Sequence, residues 1–163
     1  SNINLPKVGS YGVGMVFLPS QKKRAELAIQ AVHRFVDAFN RSDKDSLTSC
    51  LHFPHATHSD GNDPTVYENG DEFWDVIGRQ IENMRTGEGW MKSTIDYVEV
   101  INEAPETVQL LIEFARRNID GNAYGVARGI WIVTNKNHQW RLQMRSTFPK
   151  SGKISALAGQ NLS

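Results

Sequence analysis

"TVQLLIEFARRNIDGNAYGVARGIWIVTN", residues 107–135, decides the fold of this chain. Two runs rich in β-branched and aromatic residues flank Asp120-Gly121, a strong signal for a hairpin turn. Folding the chain back there sets Phe114 opposite Ala127, Ile112 opposite Gly129, Leu110 opposite Trp131 and Val108 opposite Val133. Opposed residues of an antiparallel pair share a face. This face is therefore apolar, with small residues beside large ones, and it should receive the helices. A second turn at Lys136-Asn137 leads into "HQWRLQMRSTF", residues 138–148. The same alternation puts Val133 against Trp140, Trp131 against Leu142, Gly129 against Met144 and Ala127 against Ser146.

The other face carries Glu113 opposite Arg128, and Arg128 opposite Arg145, together with Ile130, Ile132, Arg117, Tyr124, Arg141 and Gln143. A solvent face does not need the two isoleucines, and a core does not tolerate unpaired arginines. A homodimer interface through Glu113, Arg128, Ile130, Ile132 and Arg145 is expected. The alternative is an ordinary exposed face, which antiparallel sheets allow.

Outward from the hairpins, "WMKSTIDYVEVIN" (90–102) reads as a preceding strand. Further upstream, Leu27, Ile29, Ala31, Val32, Phe35, Val36 and Phe39 recur at helical spacing in "QKKRAELAIQAVHRFVDAFNRSD". Ser42 or Asp43 caps a short second helix. "DEFWDVIGRQIENMRTGEG" gives a third, with Phe73, Trp74, Ile77 and Ile81 on one face and a stop at Gly87 and Gly89. Helices first and a strand meander after them predict one α+β domain over 21–149. Residues 1–20 read as an arm with a short strand over 13–18, and 150–163 as a polar tail.

The 163 residues carry 18 basic and 18 acidic side chains, so no global field draws the chain to nucleic acid or to an anionic membrane. A single cysteine, Cys50, excludes an internal disulfide and a multi-cysteine zinc site. No apolar run reaches the ~18 residues of a spanning helix, and no signal-peptide pattern opens the sequence. A cytoplasmic location is the default expectation.

"LHFPHATHSDG", residues 51–61, holds three of the five histidines, His52, His55 and His58, followed by Asp60. Zinc needs three or four ligands converging at about 2.0–2.3 Å. A strand alternates sides, so His52 and His58 share a face roughly 20 Å apart when extended, and His55 points away. No metal is expected. Acid/base chemistry suits these residues better, because imidazole titrates near neutrality. His58 and Asp60 share parity and could form an imidazole–carboxylate pair; His55 could reach a pocket instead, since Pro54 disturbs the alternation. Asp60 could equally serve the turn "DGND" by bonding local backbone.

The helix "AVHRFVDAFNRSDKDSLTSCL", the strand with "HATHSD", the segment "YENGDEFWDVI" and the meander ending "WRLQMRSTF" together resemble the nuclear transport factor 2-like superfamily, and within it the SnoaL-like and ketosteroid-isomerase-like members. The resemblance covers about residues 26–148. It implies a curved, mostly antiparallel sheet wrapped as a cone around the long first helix, a small-molecule pocket in its mouth, and dimerisation through the outer sheet face. Similarity to the ketosteroid isomerases places the general-base aspartate near Asp60. It places their oxyanion-hole tyrosine at Phe35, which has no hydroxyl to donate.

Two functions follow as expectations. One is a cofactor-independent acid/base enzyme of lyase, isomerase or hydrolase type, with His55, His58 and Asp60 as catalytic candidates. Its pocket would be lined by Phe35, Trp74, Trp90, Tyr97, Arg116, Trp131 and Met144. The other is a non-catalytic ligand-binding or oligomerisation module.

Overall fold

The computed structural model describes residues 18–151. Most of the expected arm and tail, including the strand over 13–18, lies outside the described residues.

Helix α1 spans Pro19–Arg41, with proline at its first position, where no amide hydrogen is needed. The Leu18 amide donates to Gln21 Oε1 at 2.8 Å. The helix ends at Ser42, whose left-handed backbone (φ 56°) lets its amide reach the Ala38 and Phe39 carbonyls. Helix α2, Lys44–Thr48, starts on Asp43, whose carboxylate accepts from the Ser46 amide at 3.0 Å. Helix α3, Gly70–Asn83, starts on Asn69, which accepts from the Glu72 amide, and the Glu72 carboxylate accepts from the Glu68 amide. A π-helical turn, Met84–Glu88, continues it to Gly89. No helix among the described residues is long and apolar enough to cross a membrane.

The strands are β1 (Leu51–His58), β2 (Thr65–Tyr67), β3 (Lys92–Ala104), β4 (Thr107–Arg117), β5 (Ala123–Lys136) and β6 (Gln139–Ser151). They form one sheet in the order β2-β1-β6-β5-β4-β3, antiparallel except where β1 runs parallel to β6. One face receives α1, whose Ala28, Ile29, Val32 and Phe35 are fully or almost fully buried there. The architecture is α+β, as the sequence predicts.

The β4–β5 register is the expected one at all four pairs. Its turn is longer than two residues: the Asn118 side chain accepts from the Asp120 and Asn122 amides, and Gly121 takes φ 79°. The β5–β6 turn sits one residue later than expected, at Asn137 and His138, both in the left-handed region. Val133 therefore pairs with Leu142. The ladder then slips, and Ile132 pairs with Met144, Trp131 with Arg145 and Gly129 with Thr147. Gln143 is the extra residue of this bulge. One extra residue sends every later side chain of the strand to the opposite face.

Two expectations are corrected by that bulge. Met144 lies on the outer face, 44% exposed, and not in the interior. Arg145 points inward and is no part of the outer face. A bulge in β3 between Ile95 and Tyr97 acts the same way. Ile95 opposes Phe114 inside, while Tyr97 opposes Glu113 outside.

Candidate functional site

The centre of the inner face is a row that crosses five strands: Val100, Leu110, Trp131, Arg145 and Thr57, each the register partner of the next. Phe35 of α1 covers this row. Its ring meets Trp131 edge-on at 5.8 Å, and the Arg145 guanidinium lies 4.8 Å from its centroid. The same guanidinium is 5.7 Å from the Trp131 ring. A cation over an aromatic face is attracted by the ring quadrupole, worth about 0.5–2 kcal/mol per ring. That does not replace lost hydration of a buried charge. Burial pushes the Arg145 guanidinium down to about 10, so it is still charged at neutral pH.

His55 completes the centre. It is fully buried, and its ring stands edge-on to Phe73 at 5.7 Å, with its register partner Tyr67 also edge-on to Phe73. Arg145 Nε–H donates to His55 Nε2 at 3.3 Å. An arginine nitrogen can only donate, so His55 Nε2 is the acceptor and the proton belongs on Nδ1. Nδ1–H then donates to the Leu142 carbonyl at 3.3 Å. Burial first, then the Arg145 charge, hold the His55 pKa well below the usual imidazole value. His55 is therefore neutral, and the pair carries one positive charge.

A second buried arginine lies further along β4. Arg116 is paired: Nη1 reaches both Glu88 oxygens at 3.4 and 3.5 Å, and Tyr124 Oη donates to Glu88 Oε2 at 2.7 Å. Burial lowers the Arg116 pKa and raises that of Tyr124, whose hydrogen bond to Glu88 adds to the rise. Arg24 of α1 pairs with Glu103. The contrast with Arg145 is in the partner. Among the described residues, no carboxylate lies within salt-bridge distance of it.

The other expected site residues are dispersed. Trp90 is buried against Phe39, its indole donating to Ser93. Trp74 lies half-buried along α3 against Gly78, beside a surface cleft with Asp75, Arg79 and Glu82. Tyr97 is exposed and donates to Glu99. His58 pairs in register with Ser146 on the outer face, accepting or donating at 2.8 Å, with Phe148 edge-on. His52 bonds Thr134. Asp60 is exposed in the turn after β1, where its carbonyl accepts from Asn62. His55 is thus the histidine brought into the interior with Phe35 and Trp131. Among the described residues, no cluster of three metal-ligating side chains forms.

Residues that the sequence reading passed over are Thr57, Glu88 and Thr147, while Tyr124 and Arg145 were expected on the outer face. Thr147 accepts from the Trp131 indole at 3.0 Å. The one sequence signal for any of them was Thr57's alternation with His55 along β1.

Solved structures with this fold are numerous. An NTF2-like protein with a cystatin-like fold from Novosphingobium aromaticivorans superposes with a TM-score of 0.61 at 14% identity, over 85% of this chain and 89% of that one. A ketosteroid isomerase-like protein from Erwinia carotovora atroseptica gives 0.57 at 14%, over 83% and 99%. LinA gives 0.61 at 12%, over 88% and 97%. No protein-family model matches the sequence, and no curated protein does. The chain is an α+β protein of the cystatin-like fold. More narrowly, its architecture resembles that of solved proteins described as NTF2-like and ketosteroid isomerase-like.

Proposed function

We propose that this protein binds a small organic molecule in the interior of the fold, around the His55–Arg145 pair. The observation that carries the reading is a charged guanidinium held against both Phe35 and Trp131 with no carboxylate of the described residues beside it. A buried unpaired charge costs stability. Costs of that kind persist where they serve a site. Proteins with such different descriptions as ketosteroid isomerase-like and LinA share the fold, so the chemistry rests on the interior residues and not on the fold. The test is a fragment screen followed by NMR on the Trp131 indole N–H, assigned with Trp131→Phe. Interior binders shift that signal. A screen whose hits all leave it unmoved contradicts the reading.

Catalysis is a second reading, favoured by the fixed His55 tautomer. With Nδ1–H on the Leu142 carbonyl, the Nε2 lone pair is the basic atom on the interior side. Drawing Arg145 onto a ligand would free it to accept a proton. His58 and Asp60 stand outside this role. His55→Gln should then abolish turnover of an interior ligand while binding survives.

We also propose a homodimer through the outer sheet face. Ile130 and Tyr97 (46% exposed each), Phe148 (45%) and Met144 (44%) lie there beside the ion pairs of Glu113 with Arg128 and Lys150. Exposed apolar residues grouped with charges mark interaction surfaces.

A further inference from the structure

We propose that the interior site is a receptor for a carboxylate, bound by the Arg145 guanidinium and the Thr57 hydroxyl, with the apolar or aromatic body of the ligand against Phe35 and Trp131. This rests on the small-molecule reading and names its ligand class. Arg145 uses Nε on His55. Its two terminal nitrogens carry four N–H groups in a planar fork, and no acceptor among the described residues takes them. Residues 1–17 and 152–163 contain no Asp or Glu.

Thr57 is the second donor. It is the register partner of Arg145 across β1 and β6, so the two side chains stand next to each other on the inner face. Thr57 is 2% exposed and its hydroxyl has no hydrogen-bond partner among the described residues. An orphaned buried hydroxyl costs stability, and such groups are rare in folded proteins. A ligand oxygen would satisfy it.

Charge selects the class. His55 is neutral, and Glu88 neutralises Arg116. The site therefore offers one positive charge and suits a monoanion. A phosphate dianion would leave one buried negative charge uncompensated. The planar fork matches the planar carboxylate, and the rings of Phe35 and Trp131 favour an apolar body beside it.

Calorimetric titration of the full chain at neutral pH tests this, with benzoate and phenylacetate set against benzamide and phenylacetamide. The acids should bind at least tenfold more tightly than their amides. Arg145→Met should remove that preference, Arg145→Lys should restore part of it, and Thr57→Val should weaken the acids several-fold with the melting temperature unchanged or raised. Equal binding of acids and amides, or an acid preference that survives in Arg145→Met, overturns the carboxylate inference alone. If neither acids nor amides bind, both this inference and the small-molecule reading fall.

Discussion

Arg145 stands opposite Trp131 across β5 and β6, its guanidinium 5.7 Å from the indole ring. Gln143 makes that relationship, by adding one residue to β6. Its amide group fills the gap the bulge opens, accepting from Thr134 Oγ1 at 3.0 Å and donating to the carbonyls of Pro54 and His52. An arginine that would otherwise face outward is thereby held inside.

The two buried arginines should respond oppositely to removal of charge. Arg145→Met leaves no acidic partner stranded, so stability in urea should hold or rise. Arg116→Met strands the Glu88 carboxylate, whose side chain is 6% exposed, and should cost about 3–5 kcal/mol. Equal losses in both variants would contradict the view that Arg145 lacks a protein counter-ion.

Acid should destabilise the fold through its buried histidines. Burial lowers the His52 pKa to about 4, helped by Lys136 and Arg141, and holds that of His55 lower than usual as well. Unfolding releases both to the ordinary value near 6.5, so the unfolded state binds more protons below that pH. Stability is complete above about pH 6.5 and falls as the pH drops toward 4. Urea melts across that range should show midpoints falling with pH, and His52→Gln should flatten part of the slope. A midpoint that rises on acidification would contradict this.

Gly129 lies where the β6 backbone comes close to β5. A methyl group there would meet the Ser146 carbonyl and lie 2.9 Å from Thr147 Cα. Both are backbone of β6 and cannot rotate away. Gly129→Ala should destabilise by roughly 1–3 kcal/mol, as overpacking does, and should broaden the Trp131 indole signal, because Thr147 accepts from that group. An unchanged melting temperature would show that β6 can shift.

The outer face predicts a dimer. Sedimentation at micromolar concentration should give twice the monomer mass, and Ile130→Asp should give the monomer. A wild-type monomer removes the interface reading of Tyr97, Ile130, Met144 and Phe148.

The sequence carried the fold because its pattern and its architecture agree. Small and large residues alternate across β4 and β5 without interruption, so one turn signal set the register of both strands. The site was less legible. "WRLQMRSTF" alternates well as an unbroken strand, with Trp140, Leu142 and Met144 in line, and nothing in those letters marks Gln143 as the extra residue. Asp96 is equally silent in β3, where Tyr97 moves outward. In β1 the ladder slips between Leu51 and Ala56, yet His55 still ends inside and His58 outside. A buried arginine is also the residue that pattern rules assign to the surface. Its inward position becomes visible only with the register.

The most direct test is a crystal of the protein grown with 4-bromobenzoate. The account predicts an anomalous bromine peak in the interior beside Phe35 and Trp131, with the carboxylate on the Arg145 fork and Thr57 Oγ1. A bromobenzoate bound inside with its carboxylate turned away from Arg145, or bromine found only on the outer surface, would contradict it.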